Sequence, residues 1–238
     1  MNLIVLAAGK GSRMGVFTAD KPKPLLTIGG STLLEQQFEA FRGSGMLGRV
    51  VYVVGYLAEA IEDKIAALHL EGVETVFNPF FDVSDNLISL WFARYYMDED
   101  FVICNGDNLL DSEAIKRICS AGEGIHIAVN KKDDYDNDDM KVIVKDGAVA
   151  RVSKLIDERE ADFESVGLAA ISGADARTAF RSTLDRLARS KDYRDKYWLE
   201  VFNVMARDGV RTHTSTIGGY WREFDFHSDV QRYLDERT

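Results

Sequence analysis

Cysteine and histidine are scarce in this sequence, with two cysteines and four scattered histidines among 238 residues. No group of them has the spacing of zinc ligands, so the sequence gives no support for a Cys/His metal site. Cys104 falls in a predicted strand and Cys119 in a predicted helix. We therefore expect two buried thiols in a protein of the reducing cytoplasm, and no disulfide.

Excess positive charge and long apolar runs are also lacking. The 29 Lys and Arg residues are outnumbered by 39 Asp and Glu residues, which gives a formal net charge of −10. This balance argues against nucleic acid and anionic membranes as partners. No apolar run approaches the length of a membrane span, and Met1-Asn2 passes directly into a predicted strand. We therefore expect neither a bilayer-crossing segment nor an export signal.

Two common phosphate-binding motifs are absent as well. After Gly9 and Gly11, the dinucleotide fingerprint G-x-G-x-x-G requires a third glycine where Met14 stands, and Gly15 comes one residue late. No Gly-Lys-Ser/Thr triplet closes the loop, so it is not an ATPase-type P-loop. The glycine spacing therefore disfavours a Rossmann dehydrogenase.

The sequence does contain a glycine-bearing, cationic loop directly after its first predicted strand. Lys10, Arg13, Lys21 and Lys23 concentrate positive charge there, within an otherwise acidic chain. A tight turn would explain the glycines alone, but a polyphosphate ligand explains glycines and cations together. The two parts of this motif are Leu6-Ala7-Ala8-Gly9-Lys10-Gly11-Ser12-Arg13-Met14 and Asp20-Lys21-Pro22-Lys23-Pro24-Leu25.

The first half of the chain alternates apolar strands with amphipathic helices, which predicts βαβ units and a mostly parallel sheet covered on both faces. Ligands bind such sheets at the carboxyl ends of the strands, where residues 9–13 fall. Thr32 and Glu35 have the spacing of a capping box. The predicted strands are 3–6, 50–54, 74–77, 101–104 and 125–129, and the predicted helices are 33–42, 58–68, 87–96 and 112–121.

After residue 130 the pattern changes. Residues 133–139 form an acidic loop that we expect to be solvated, with a lid over a site as the alternative. Residues 141–145 and 148–154 alternate around Asp146-Gly147, which predicts a β-hairpin. The remaining predicted elements are helices at 174–189 and 193–207, a strand at 211–216, a short strand ending near residue 224 and a final helix from residue 228.

Candidate metal-binding carboxylates lie at two places, of which Asp107 is predicted to face the same sheet edge as the glycine loop. Asp107 follows a predicted strand in the Asn105-Gly106-Asp107-Asn108 turn, and Glu223 and Asp225 share one face of an extended segment. An aspartate at a strand end commonly holds Mg²⁺, and Asp225 would complete such a site. The alternatives are helix caps, Asp107 for the helix near residue 112 and Asp225 or Ser228 for the last helix.

Together these motifs resemble the nucleoside-triphosphate-transferase family, which includes sugar-1-phosphate nucleotidyltransferases and small cytidylyltransferases. Within it, the likeness is closest to the short bacterial phosphocholine and phosphonate cytidylyltransferases, and it covers essentially the whole chain. It is carried by the glycine loop, the Lys-Pro-Lys-Pro-Leu-Leu run, Asp107 and the Glu-Phe-Asp225 segment. Further matching residues are Val54-Gly55-Tyr56-Leu57, Val76-Phe77-Asn78, Asn86 with Ser89-Leu90, Tyr197-Trp198 and Asp229.

The resemblance implies a Rossmann-like three-layer α/β sandwich with a mostly parallel mixed sheet and an inserted β-hairpin and helical substrate-binding portion. It implies one nucleotidyltransferase domain over residues 1–238, in which 1–130 bind the nucleotide and 131–238 bind the acceptor and complete the metal site. The implied reaction is a Mg²⁺-dependent transfer of CMP from CTP to a small phosphate or phosphonate, with release of pyrophosphate. Phosphocholine, an aminoalkyl phosphonate and a polyol phosphate are the candidate acceptors.

The resemblance also implies roles for individual residues. Arg13 and Lys23 are the catalytic cations: Arg13 grips the triphosphate and Lys23 bridges the α-phosphate and the incoming group. Asp107 and Asp225 hold Mg²⁺, and Lys10 is either an electrostatic assistant or a surface lysine. The attacking oxygen is already anionic, so catalysis depends on alignment and charge neutralisation. The expected nucleotide contacts are Leu6, Ala7, Ala8, Gly9, Lys10, Gly11, Ser12, Arg13, Ser84 and Asn86.

The chain departs from its relatives at both specificity regions. Asp85-Asn86 stands where relatives often have paired asparagines, which leaves UTP or another nucleotide open; Ser84 and Asp85 could equally cap the helix at 87–96. The stretch 139–142 lacks the aromatic residue that helps enclose choline in relatives, and its lysine favours an acceptor with an added anionic or polar group. The predicted acceptor contacts are Lys141, Lys154, Glu164, Tyr197, Trp198 and Glu223.

Alternatives remain for several of these residues and for the function. Tyr197 and Trp198 could belong to the core, and Glu164 could be a solvent-facing carboxylate at a strand start. The rival functions are a sugar-1-phosphate nucleotidyltransferase that uses UTP or dTTP and a non-catalytic nucleotide-binding sensor. A sensor has no need of both metal carboxylates. The pattern leaves open whether the chain forms a homodimer.

Overall fold

Strands and helices alternate along residues 1–46 and 48–235, which are the residues that the computed structural model describes. The strands are β1 (Asn2–Ala7), β2 (Thr27–Ile28), β3 (Ser31–Thr32), β4 (Val50–Val54), β5 (Val73–Phe77), β6 (Phe101–Asn105), β7 (Asn108–Leu110), β8 (Gly124–Asn130), β9 (Lys141–Lys145), β10 (Ala148–Ser153), β11 (Phe163–Ser172), β12 (His213–Thr216) and β13 (Trp221–Glu223). The helices are α1 (Leu33–Ser44), α2 (Ala58–Ala67), α3 (Asn86–Phe92), α4 (Ser112–Cys119), α5 (Ala174–Ala188), α6 (Glu200–Arg207) and α7 (His227–Asp235).

Nine strands form one mixed sheet in the order β10-β9-β11-β6-β1-β4-β5, with β8 paired to β11 and β12 paired to β8. Strand β1 runs parallel to β4 and β6, and β4 runs parallel to β5. Strand β11 runs antiparallel to β6, β8 and β9. The predicted α/β class with a mixed sheet is confirmed, and the carboxyl ends of β1, β4 and β6 lie at one edge.

The sheet is the middle of three layers. Leu3, Val5 and Ala7 of β1 pack on one face with α1, α2 and α4. Ile4 and Leu6 of the same strand pack on the other face with α3, α5 and α6. Burial on both faces explains why β1, β4 and β6 are nearly continuous apolar runs, whereas the edge strand β5 contains Glu74 and Thr75.

Two local features fix the segments beside the carboxyl edge of the sheet. The Thr32–Glu35 capping box at the start of α1 is present, as predicted. A small apolar cluster of Ile28, Leu33, Phe224 and Tyr233 joins the C-terminal segment to the β2–β3 region. This cluster holds the residues around 223–225 against the main body of the fold.

Two sequence predictions need correction. The helix expected over 193–207 is α6 alone, because the segment before it bonds to the start of α3: Asp85 N–H donates to the Arg194 carbonyl and Trp198 N–H donates to the Asn86 side chain. Strand β11, which lies inside the sheet, is anticipated from the sequence only as a strand start at Glu164, and its length is not predicted. Its residues Glu164 to Ala170 are buried with no polar–apolar alternation, so period-2 patterning does not reveal it.

Both cysteines are free thiols in the described structure, Cys104 buried and Cys119 half-buried. This agrees with the expectation that they form no disulfide. Across the described ranges, no helix has the length and apolar character needed to cross a membrane.

Candidate active site

A cavity of about 670 Å³ opens at the carboxyl edge of β1 and β6. Its walls come from the glycine loop, the turn that carries Asp107, the acidic loop, the start of β11 and the C-terminal segment. A second cavity of about 180 Å³ adjoins it between the glycine loop and the start of α3. The larger volume lies within the range of small-molecule sites.

The glycine loop is bound tightly to the neighbouring strand ends. Gly106 N–H donates to the Leu6 carbonyl at 2.9 Å, and Tyr56 N–H donates to the Ala8 carbonyl at 3.0 Å. A Cβ on Gly106 would lie 2.5 Å from the Leu6 oxygen, so this close approach requires glycine. Gly11 has a φ of 60°, a left-handed conformation that glycine adopts without strain.

Lys23 joins the two predicted metal ligands. Its Nζ lies 2.9 Å from Asp107 Oδ2 and 2.7 Å from Asp225 Oδ1. Pro22 and Pro24 flank it, and the short 3-10 segment Lys23–Leu25 fixes its backbone. Burial opposes the charged amine, but the two carboxylates outweigh burial and raise the pKa of Lys23 above its usual value. The first-loop cation and the two distant aspartates therefore converge, as the sequence predicted.

Glu223 completes a group of three carboxylates. Strand β13 pairs with β7 so that Glu223 lies opposite Asn108, and Phe224 N–H donates to the Asp107 carbonyl. One oxygen from each of Asp107, Glu223 and Asp225 lies within 4.8 Å of the others. Burial, and then the Asp107 and Asp225 carboxylates, raise the pKa of Glu223 well above its ordinary value. The Lys23 amine offsets part of this repulsion, and a divalent cation would offset more of it.

The three carboxylates fit a hard divalent cation. All of their donors are oxygens, which Mg²⁺ prefers. Asp107 Oδ1 is buried without a hydrogen-bond partner among the described residues, although its other oxygen binds Lys23. An unpartnered buried carboxylate oxygen is costly unless it binds a cation.

The helix-cap alternatives for the two aspartates do not hold. Asp111, not Asp107, caps α4 by accepting from Ala114 N–H. At the last helix, Asp229 accepts from the N–H groups of Asp225 and Phe226 at 2.9 and 2.7 Å. The Asp225 side chain is thus left facing Lys23 and Arg13.

Arg13 lies at the mouth of the cavity between acidic side chains. Its Nη1 is 3.0 Å from Asp138 Oδ2 and 3.2 Å from Asp225 Oδ2. Ser12 and the loop glycines line the same cavity. Lys10 lies away from this pair of aspartates, with its Nζ 5.9 Å from the centre of the half-buried Phe81 ring.

Several of the expected nucleotide contacts line the smaller cavity, including Leu6, Ala8, Ser84 and Asn86. Ala7 lines the larger cavity instead. Asp85 caps α3 by accepting from Asn86 N–H, and Ser84 Oγ donates to the Phe80 carbonyl. Asp85 therefore caps the start of α3, and residues 84–86 line the smaller cavity at the same time.

The acidic loop is exposed at Asp133, Asp134, Asp136 and Asn137, as expected of a solvated loop, and part of it also borders the cavity. Asp138 binds Arg13 and also Lys154, whose Nζ is 2.6 Å from Oδ1. Asp136 Oδ1 accepts from the N–H groups of Asp138 and Asp139 and holds the loop in shape. Asp136, Asp138 and Asp139 all line the cavity. Sequence analysis noted this loop but assigned no site residue to it.

Glu164 is buried, which excludes the alternative of a solvent-facing carboxylate. Lys132 Nζ lies 2.7 Å from Asp139 Oδ1 and 3.2 Å from Glu164 Oε2, and all three residues line the cavity. Burial, with the neighbouring Asp139 carboxylate, raises the pKa of Glu164 to about 7. Lys132 was missed because nothing in its local sequence distinguishes it from a surface lysine.

The structure separates the two hairpin lysines. Lys141 is 1% exposed, and its Nζ donates to the Asp136 and Asp139 carbonyls, so it supports the acidic loop. It is not among the described residues that line the cavity, which corrects its predicted contact with the acceptor. Lys154 does line the cavity, with Nζ 5.7 Å from the centre of the Tyr197 ring.

Both predicted aromatic residues are among those that line the cavity, and they differ in exposure. Tyr197 is 40% exposed and presents its ring to the cavity. Trp198 is fully buried, and its Nε1 donates to Asn105 Oδ1 at 2.9 Å. Trp198 therefore forms part of a fixed cavity wall, while Tyr197 keeps an accessible face.

Comparison with known proteins agrees with this geometry. The family model of the MobA-like NTP transferase domain matches residues 3–190. The chain is 33% identical over 130 residues to the CMP-5'-(3-aminopropyl)phosphonate synthase of Streptomyces rubellomurinus, covering 54% of this chain and 20% of that protein. The chain thus spans about a fifth of that relative's length.

A second relative matches over its whole length. The CTP:phosphoglutamine cytidylyltransferase of Campylobacter jejuni is 23% identical, covering 99% of this chain and all of that protein. The structure of the CTP:phosphocholine cytidylyltransferase from Streptococcus pneumoniae superposes with a TM-score of 0.82 at 21% identity, covering 100% of this chain and 99% of that one. That likeness confirms the Rossmann-like α/β fold, and the family match confirms the predicted nucleotidyltransferase family.

Proposed function

The chain belongs to the MobA-like NTP transferase domain family, and from this premise we propose that it transfers CMP from CTP to a small phosphate or phosphonate. Pyrophosphate is the second product, and a divalent cation is required. The observation that carries the proposal is the cluster of Lys23, Asp107, Glu223 and Asp225 beside the glycine loop. This cluster places an ammonium group for phosphate and carboxylates for a divalent cation in one cavity.

The proposed reaction needs alignment more than proton transfer. The attacking oxygen of the acceptor is already anionic, so the residues must hold two anions in line and neutralise the charge that builds up on the α-phosphate and the leaving pyrophosphate. The backbone N–H groups of residues 8–12 and the Arg13 guanidinium would bind the triphosphate. Lys23, released from its carboxylates, would contact the α-phosphate and the incoming oxygen.

Asp107 and Asp225, with Glu223 beside them, are the residues that would hold the cation. When bound, Mg²⁺ would neutralise phosphate charge and orient the α-phosphate. Its positive charge would also replace that of Lys23 at the two aspartates, which leaves the amine available for the substrate.

The acceptor end of the cavity favours a substrate with a cationic nitrogen, either a protonated amine or a quaternary ammonium. Its described lining includes the carboxylates of Asp136, Asp138, Asp139 and Glu164, while Lys132 is already paired with two of them. Tyr197 adds an aromatic face suited to a cation. This changes the expectation drawn from Lys141, since that lysine does not reach the cavity.

The names of three similar proteins are compatible with this preference. They are named for an aminopropyl phosphonate, for phosphoglutamine and for phosphocholine, and each of these compounds carries nitrogen. The inositol-1-phosphate CTP transferase from T. maritima, with a TM-score of 0.80 at 24% identity, is instead named for a polyol phosphate, so the preference depends on the carboxylates and Tyr197 at the acceptor end. We therefore place an aminoalkyl phosphonate or phosphocholine ahead of a polyol phosphate as the acceptor of this chain.

A pyrophosphate-release screen tests the proposal. CTP, UTP, dTTP and ATP are each combined with phosphocholine, 2-aminoethylphosphonate, glycerol phosphate, inositol phosphate and sugar 1-phosphates. We expect release with CTP and an acceptor that carries a cationic nitrogen, which is 2-aminoethylphosphonate or phosphocholine in this panel. Ethylphosphonate, which differs from 2-aminoethylphosphonate by the amine alone, is the matched control and should react poorly.

Other outcomes of the screen would overturn the proposal in defined ways. Release with UTP or dTTP and a sugar 1-phosphate would establish the sugar nucleotidyltransferase alternative. Nucleotide binding without release in any combination would favour a sensor. Lys23→Met should abolish most release, whereas Lys21→Met, at an exposed position of the same loop, should not.

A further inference from the structure

Gln37 is a buried polar residue in the middle of an otherwise apolar helix face. It lies on α1 between Leu34 and Phe41, and it is 1% exposed. Its side-chain Oε1 has no hydrogen-bond partner among the described residues. An amide buried with its acceptor unpaired costs stability, so packing alone does not explain a glutamine here.

The Gln37 amide bonds to both sides of the turn that carries Asp107. Its Nε2 donates to the Gly106 carbonyl at 3.2 Å and to the Asn108 carbonyl at 2.6 Å. These two residues flank the aspartate, and Gln37 is 69 and 71 residues away from them in sequence. The helix thereby fixes the backbone on each side of one candidate metal ligand.

Backbone bonds hold the same turn from two other directions. Gly106 N–H donates to the Leu6 carbonyl, and Phe224 N–H donates to the Asp107 carbonyl. The first ties the turn to the glycine loop, and the second ties it to the segment with Glu223 and Asp225. Gln37 supplies the contact from the third side, toward the helical layer.

We propose that Gln37 is a positioning residue that sets the orientation of Asp107 for the divalent cation. This inference rests on the proposed function, in which Asp107 is a metal ligand. A carboxylate holds a cation well only when its backbone is fixed, and partners of metal ligands commonly contribute about 10- to 100-fold to metal affinity. Gln37 would therefore act on the cation through the turn and would touch neither substrate.

The neighbouring glutamine provides a matched control. Gln36 lies on the same helix, and its Nε2 also donates to two backbone carbonyls, those of Ile28 and Ser31. Those carbonyls belong to the β2–β3 region instead of the Asp107 turn. Gln36→Met and Gln37→Met thus both remove donors to two backbone carbonyls at different places, although Gln36 Oε1 also accepts from the Tyr233 hydroxyl at 3.4 Å.

The test measures binding of Tb³⁺ alone by its tryptophan-sensitised emission, since Trp221 Nε1 lies 3.4 Å from the Asn108 side chain next to the turn. We expect Gln37→Met to weaken Tb³⁺ binding about 10-fold or more, and Gln36→Met to leave it unchanged. In pyrophosphate release, Gln37→Met should raise the Mg²⁺ concentration for half-maximal rate, with kcat recovered at high Mg²⁺. The KM for CTP measured at saturating Mg²⁺ should change little.

A purely structural role would give a different result. Equal Tb³⁺ affinity and equal Mg²⁺ dependence in both variants, with a lower melting temperature for Gln37→Met alone, would overturn the inference. If Gln37→Met does not fold, Gln37→Asn is measured instead, because it keeps the amide but is one methylene too short for both carbonyls. Failure of the wild-type chain to bind Tb³⁺ or release pyrophosphate would instead count against the proposed function.

Discussion

Replacing Lys23 with alanine should separate stability, metal binding and catalysis. The amine pairs with Asp107 and Asp225, whose side chains are 20% and 21% exposed. Removal of one partner from a buried ion pair typically costs about 3–5 kcal/mol, because it leaves an uncompensated charge. Since these carboxylates keep partial access to water, we expect a loss of about 2 kcal/mol in the free energy of unfolding.

A loss of that size lowers the melting temperature by about 4–8 °C in a chain of this length. The same substitution removes the cation that competes with a metal for Asp107 and Asp225. Lys23→Ala should therefore gain more thermal stability from Mg²⁺ than the wild-type chain does, because ligand binding to the native state stabilises it. Pyrophosphate release should nevertheless fall by at least 100-fold, about 2.7 kcal/mol of lost transition-state stabilisation.

The assay is thermal unfolding followed by circular dichroism, in EDTA and in Mg²⁺, together with pyrophosphate release. Lys21→Ala, at an exposed lysine of the same loop, controls for loss of charge. The reasoning is refuted if Lys23→Ala and Lys21→Ala have the same melting temperature in EDTA, and if Mg²⁺ raises the melting temperature of Lys23→Ala no more than that of the wild type.

The metal, the acidic wall and the hairpin lysines each give a further test. EDTA should stop pyrophosphate release and Mg²⁺ should restore it, whereas full activity without metal would contradict the role of the carboxylates. Acceptor kcat/KM should rise as pH increases through about 7, the pKa to which burial raises Glu164, because the ionised carboxylate attracts an amine. Glu164→Gln should flatten that profile, and an unchanged rise would contradict the assignment. Lys154→Met should raise the acceptor KM about 10-fold. Lys141→Met should mainly lower the melting temperature. Equal effects of the two substitutions on KM would contradict the different roles given to these lysines.

The convergence of Lys23, Asp107 and Asp225 could be predicted because each feature depends on a rule that sequence expresses directly. Parallel strands place their carboxyl ends at one edge, so the glycine loop after β1 and the turn after β6 had to be neighbours. Alternation along an extended segment put Glu223 and Asp225 on one face. The family resemblance connected these features to one reaction.

The acceptor side could not be predicted in the same way, because it depends on long-range contacts. Lys141 and Lys154 look equivalent in the hairpin pattern, yet pairing shifts between Val149 and Arg151, and Lys154 lies just beyond the end of β10. The Lys141 amine donates hydrogen bonds to two backbone carbonyls of the acidic loop. The contact of Lys132 with Glu164 and Asp139 could be predicted only with the position of β11 known, and the buried sequence of that strand does not alternate between polar and apolar residues.

The cations of the site are paired with its carboxylates in the described structure. Arg13 and Lys23, which we assign to the triphosphate, and Lys154, which we assign to the acceptor, are each paired with Asp107, Asp138 or Asp225. A triphosphate that displaces these carboxylates would leave them unpaired, and a divalent cation that displaces Lys23 would leave its amine unpaired. The divalent cation would therefore pair with the carboxylates that the triphosphate displaces, and the triphosphate would pair with the amine that the cation displaces. Metal and nucleotide binding should consequently reinforce one another, and Asp225, which contacts both Arg13 and Lys23, is the residue through which the two exchanges are joined.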